Sequence, residues 1–125
     1  MIDQRNDTRT MRDRIEELAE RFLKRCVHDL VLLHRFLDGM RTGNAVMLAE
    51  IAHLAHKIRG TGGSLGFSAL SECAAELERI AEPADFAGGT LDAQLFEQLA
   101  RSALRLEGEL DQLLAKRSLA QETGA

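Results

Sequence analysis

Tryptophan and tyrosine are absent from this chain of 125 residues, proline occurs once and cysteine twice. The two cysteines, Cys26 and Cys73, sit inside apolar helical patterns with no CxxC spacing. A redox pair or thiolate metal site has no support there, and both are expected to be buried free thiols. No apolar run approaches the roughly eighteen residues of a membrane span. The polar stretch from Met1 to Arg14 also lacks the apolar centre of a signal peptide. The protein is therefore expected in the cytoplasm. A basic stripe is missing too: sixteen basic residues are spread along the chain against twenty acidic ones, for a net charge of −4. Nucleic acid is an unsuitable partner for that distribution. There is no serine or cysteine triad, no dedicated ATP-binding motif and no paired-carboxylate metal centre.

What is present is a helical pattern. The length suits one domain, and a chain of this size buries roughly two-thirds of its unfolded surface without needing covalent staples. From Arg12, apolar residues recur at steps of three and four through Ile15, Leu18, Ala19, Phe22, Cys26, Leu30, Leu33 and Leu37, which predicts a long first helix. Residues 1–11 have no clear pattern and are expected to form a tail. Asp38 to Asn44 breaks the period with two glycines, and Asn44 is a suitable cap for a second helix from Ala45. Gly66-Phe67-Ser68 turns the chain, with Ser68 as the expected cap of a third helix carrying Leu70, Cys73, Ala74, Leu77, Ile80 and Ala81 on one face. Glu82 to Gly89 reads as the longest loop, and Thr90 as the cap of a last helix marked by Leu91, Leu95, Leu99, Ala103, Leu106, Leu110, Leu113 and Leu114. After Lys116 the chain turns polar, so residues 117–125 are expected to be a second tail. Four amphipathic helices with short connections pack as an all-α, up-down-up-down antiparallel four-helix bundle over residues 12–116.

The second helix carries the chemistry. Leu48, Ile51, Ala52, Ala55, Ile58, Gly62 and Leu65 form its apolar stripe, and His56 lies about 130° from the middle of it. An accessible imidazole follows. Gly60 and Gly63, four and seven residues on, stack on the face that His56 occupies. Glycine inside a helix costs about 1 kcal/mol relative to alanine, so two beside one exposed histidine need an explanation, and close approach by another molecule is one. Arg59 and Lys57 put positive charge beside the ring. His53 lies nearly opposite the stripe, solvated, and with Lys57 and Gly63 belongs to the surface a partner would meet. His28 and His34 are six apart, do not share a helical face as a ligand pair would, and read as surface histidines. A phosphate loop over Gly60 to Gly66 fails on spacing and because a helix, where those motifs need a strand, precedes it.

Together His56, Arg59, Gly60, Gly63 and Gly66, continuing through Leu70, Cys73, Leu77 and Glu78, resemble the histidine-containing phosphotransfer (HPt) domains of bacterial multistep two-component signalling. The pattern there often has lysine at the position of Arg59, a change that keeps the charge. The resemblance implies that His56 accepts a phosphoryl group and that Arg59 offsets the charge of the phosphohistidine. It implies that Glu78 hydrogen-bonds the Nδ1 of His56 and leaves Nε2 with a free lone pair; the residues alone equally allow Glu78 to be a solvated glutamate. It further implies a phosphoryl carrier, not an enzyme, with no cofactor of its own. Its partners would be the receiver domains of hybrid sensor kinases and response regulators, which bring the phosphorylated aspartate and magnesium. Two other readings stay open at this point. One is the dimerisation and phosphoacceptor domain of a histidine kinase, which His56-Lys57-Ile58-Arg59 partly matches but Gly60 and Thr61 do not. The other is a helical scaffold. Four helices in one chain favour a monomer.

Overall fold

A helix can persist past a glycine or a proline when its next apolar residue finds a core to enter, and this governs where the elements end here. The computed structural model describes residues 4–41, 46–86 and 92–122. They form four helices, α1 (Gln4–Arg41), α2 (Met47–Ser64), α3 (Ser68–Phe86) and α4 (Ala93–Glu122). Among the described residues there is no strand. α1 packs on α2 and α4, and α3 packs on α2 and α4, which is the arrangement of a four-helix bundle.

The stripes read from the sequence converge on one core. Leu33, Leu48, Ile51, Ile58, Leu70, Leu77, Leu99, Leu106 and Leu110 are fully buried, and each such side chain contributes about 1.5–3 kcal/mol of burial. Cys26 lies in the same core, whereas Cys73 is only half-buried at its edge, a correction to the expectation that both thiols are enclosed. Burial pushes the Cys26 thiol up to about 12, with Asp29 adding to the effect. Burial raises the Cys73 thiol too, helped by Glu109, Glu76 and Glu72 and opposed by Arg105.

The helix ends differ from the sequence expectation. α1 starts at Gln4, not near Arg12, and α4 runs to Glu122, past Lys116. These ends run side by side, tied by an ion pair between Arg117 and Glu16. α1 also continues beyond Leu37, because Met40 completes its stripe and is buried. Gly39, read as a breaker, stands instead where a Cβ would come 3.2 Å from Met47 Cγ, so α2 can approach closely. α3 absorbs Glu82 to Phe86 with Pro83 inside the helix, where a loop was expected. Pro83 removes one helical hydrogen bond, but Ala81 is buried and Ala84 packs against the core, which offsets that loss. The caps at Asn44 and Thr90, Leu91, and residues 87–89 of the expected loop lie outside the described residues. α4 is capped by Asp92, whose Oδ1 accepts the Leu95 N–H at 2.7 Å.

The turn between α2 and α3 is tightly specified. Gly66 takes φ 85°, the left-handed conformation that suits glycine. The Gly66 N–H donates to Gly63 O at 3.2 Å and the Phe67 N–H to Gly62 O at 2.8 Å, a Schellman closure. The Ser71 N–H donates to Phe67 O at 2.9 Å, so Phe67, and not Ser68, holds the N-cap position of α3. Phe67 stacks on Phe22 at 5.9 Å, anchoring the turn to α1.

Candidate functional site

His56 projects from the middle of α2, its side chain 59% exposed. Its neighbours on the stripe, Ala55 and Ile58, are buried and fix the helix face. The Schellman turn then folds α3 back so that Glu78, 22 residues later, meets the ring: the Nδ1–H of His56 donates to Glu78 Oε2 at 2.7 Å. Glu78 is only 8% exposed. A carboxylate this enclosed needs charged or polar partners, and it has two. Besides His56, Arg59 forms an ion pair with it, Nε standing 3.1 Å from Glu78 Oε1. An ionised acceptor at Nδ1 fixes the proton there, so the Nε2 lone pair points outward. Among the described residues nothing hydrogen-bonds Nε2.

Arg59 sits on the Nδ1 side. Its Nη2 stands 3.1 Å from His56 Nδ1, so in this structure it braces the carboxylate and the inner edge of the ring, not the outer nitrogen. Lys57 is exposed, as is His53 one turn earlier. A shallow hollow runs beside the ring, lined by Leu18, His56, Lys57, Gly60, Thr61, Ser64 and Leu65. Across Lys57 lies a second hollow containing Arg21, Arg25 and Asp29. Burial raises the Asp29 carboxyl above its ordinary range, while Lys57, Arg25 and His28 pull it down.

The two glycines part company. A Cβ at Gly60 would meet nothing within 4 Å, so no contact inside the chain explains the residue. At Gly63 a Cβ would lie 3.4 Å from Ser71 Oγ, close to α3. That serine matters to the site: its hydroxyl donates to Arg59 O at 2.8 Å, and Ser64 Oγ donates to Gly60 O at 3.0 Å. Nothing in the sequence spacing marked Ser71, which lies twelve residues from Arg59.

Leu18 is the other residue that the pattern placed elsewhere. Ile15 and Leu18 continue the core stripe of α1 but are 54% and 53% exposed, and Met11 is 66% exposed. The reason is length. α1 has 38 residues and α2 has 18, and Phe22 already packs against Gly62 in the last turns of α2. The residues of α1 before Leu18 therefore overhang α2 by about 20 Å at 1.5 Å per residue. Met11 and Ile15 on this overhang continue the helix face of Leu18 as an exposed apolar ledge, and Leu18 itself lines the hollow that contains His56.

His28 is exposed, and His34 Nε2 lies 2.9 Å from Glu107 Oε2, linking α1 to α4. Among the described residues no three His, Cys, Asp or Glu side chains group as a metal site, and no helix is long and apolar enough to cross a membrane.

The structure thus presents an outward imidazole held by a buried carboxylate on a helical bundle. The family model described as Hpt domain matches residues 9–116, most of the chain. The chain belongs to the Hpt domain family. No curated protein and no solved structure matches it at a significant level. Hpt domains are helical bundles that carry phosphoryl groups on histidine in the phosphorelays of two-component signalling, exchange them with receiver domains, and have no catalytic domain of their own.

Proposed function

We propose that this Hpt domain accepts a phosphoryl group on His56 Nε2 and relays it between the receiver domain of a hybrid sensor kinase and that of a response regulator. The observation that carries the reading is the 2.7 Å hydrogen bond from His56 Nδ1 to the buried carboxylate of Glu78, which leaves Nε2 as an exposed lone pair. In the transfer, Nε2 attacks the phosphorus of the receiver's aspartyl phosphate. The N–P bond forms as the P–O bond breaks, and the aspartate carboxylate departs with the electron pair. Return transfer reverses these roles. The receiver would supply its own magnesium, and this chain supplies position: a rigid helix, an oriented ring, and at Gly60 a clear surface. Lys57, in the hollow beside the ring, is the cation that meets the phosphoryl group. Arg59 acts from behind the ring.

The ledge of Met11, Ile15 and Leu18 adjoins the hollow, so a receiver seated over His56 covers apolar surface on α1. Gly63 and His53 flank the same approach. On this reading the protein is a cytoplasmic monomer and a carrier without turnover.

The test uses a phosphorylated receiver domain as donor, with His56→Gln alongside. Acid-labile, base-stable label on the wild type and none on the variant, both equally helical by circular dichroism, is the expected result. Label on both, or on neither with several donors, would overturn the assignment.

A further inference from the structure

The inner nitrogen of His56 has more partners than one protonation state can use. Glu78 Oε2, at 2.7 Å, can only accept from it. Arg59 Nη2, at 3.1 Å, can only donate to it. When Nδ1 carries its proton the carboxylate is its partner and the guanidinium is a bystander. When Nδ1 has lost its proton the carboxylate faces a lone pair, and only the guanidinium can bond it.

The second state has a place in a phosphoryl carrier. Formation of the Nε2–P bond with the Nδ1 proton retained leaves a cationic ring, from which N–P cleavage expels neutral imidazole, a good leaving group. Loss of that proton to water gives a neutral phosphoimidazole, whose cleavage would expel an imidazolide anion, a poor one. We propose that Arg59 is the positioning residue that holds Nδ1 after this proton has left. Phospho-His56 is then stored in its unreactive form and becomes transferable when water returns the proton. The proposal rests on His56 being the phosphoryl acceptor.

The charged surroundings of Nδ1 are few. α3 contributes Glu78, and α2 contributes Arg59, Lys57 and His53. α1 presents Leu18 to the hollow, with Arg21, Arg25 and Asp29 beyond Lys57. α4 is not a direct packing neighbour of α2 among the described residues.

The test loads the full chain with potassium phosphoramidate, a small donor that needs no receiver, and follows phosphohistidine by phosphorus NMR from about pH 6 to 9. His56→Gln is run first. Label on the wild type alone locates the acceptor, and absence of label on His56 would overturn both this inference and the proposed function. For the labelled protein, lifetime should rise with pH as Nδ1 loses its proton. In Arg59→Ala the rise should move about one pH unit higher, so that on the rising limb its lifetime is about tenfold shorter, the size expected of a charge-assisted hydrogen bond. Arg59→Lys, which keeps a donor, should recover part of the shift. The control for simple charge is Glu78→Gln, whose amide can turn its NH2 to Nδ1: in that background Arg59→Ala should move the curve much less. Coincident wild-type and Arg59→Ala profiles with His56 labelled, or an equal Arg59→Ala shift in both backgrounds, would overturn the role of Arg59 and leave the proposed function standing.

Discussion

Gly60→Ala should make the protein more stable and a worse phosphoryl acceptor, and the two effects have separate causes. A Cβ built at Gly60 meets nothing within 4 Å, so no clash offsets the helix preference of alanine over glycine, about 1 kcal/mol. For a domain of 125 residues, unfolding entropy of about 2.1 cal/mol/K per residue converts this to a rise in Tm of about 4 °C. On the proposed function the methyl group is added on the surface that the receiver approaches, and a displacement of about 1 Å from the attack geometry can cost on the order of 100-fold. A longer side chain extends the argument: Gly60→Gln, also a good helix former, should lower transfer from a phosphorylated receiver by about 10- to 100-fold. Labelling by phosphoramidate, which is small enough to reach Nε2 past a side chain, should stay within about twofold. Thermal unfolding by circular dichroism and parallel labelling with the two donors give all three quantities. A lower Tm for Gly60→Ala would refute the claim that the site is open. A Gly60→Gln variant that accepts from the receiver as fast as the wild type would refute the clearance argument.

Replacing Ile15 and Leu18 together by serine should raise the KM for the donor receiver about tenfold or more, since about 1.5 kcal/mol of apolar burial per residue is lost from the complex. The single-turnover rate at saturation and the Tm should change little. Asp29→Asn should raise Tm at neutral pH. Asp29 has a folded-state pKa above its ordinary 3.8, so the folded state holds the proton more tightly and this group's contribution worsens as pH rises through the carboxylate range. The advantage of the asparagine should vanish well below pH 3.8, measurable as converging melting curves. Iodoacetamide at pH 8 should leave Cys26 unmodified in the folded protein, because a thiol pushed up to about 12 is almost wholly protonated there. Mass spectrometry should find Cys26 alkylated once guanidinium unfolds the chain.

The four helices were legible because each has an apolar residue every three or four positions and a polar interruption between them. Their ends were not. Gly39 and Pro83 are breakers by local preference, yet each sits where the core continues, at Met40 and Ala84, and tertiary burial overrides propensity. Ile15 and Leu18 fit the core period perfectly and are exposed, because periodicity reports a face and not the length of the neighbour that covers it. His56 and Gly60 could be singled out since both lie on one helix at known angles. The placement of Arg59 could not: a residue three positions from His56 can lean either way along the ring. Its direction is set by Glu78 from α3, whose burial depends on the tight turn at Gly66.

That turn has a mechanical consequence. His56 and the carboxylate that orients it, Glu78, stand on the two arms of a single helical hairpin, closed by Gly66 and cross-tied by Ser71 to Arg59 O, whereas the overhanging ledge belongs to α1. If a receiver sits over His56 as proposed, a shift of α1 by an ångström should alter its seating and leave the His56–Glu78 distance as it was. On the proposed function, part of the receiver's footing is thus carried by a strut apart from the hairpin that holds the ring, and substitutions at Ile15 or Leu18 can retune that part without moving His56 against Glu78.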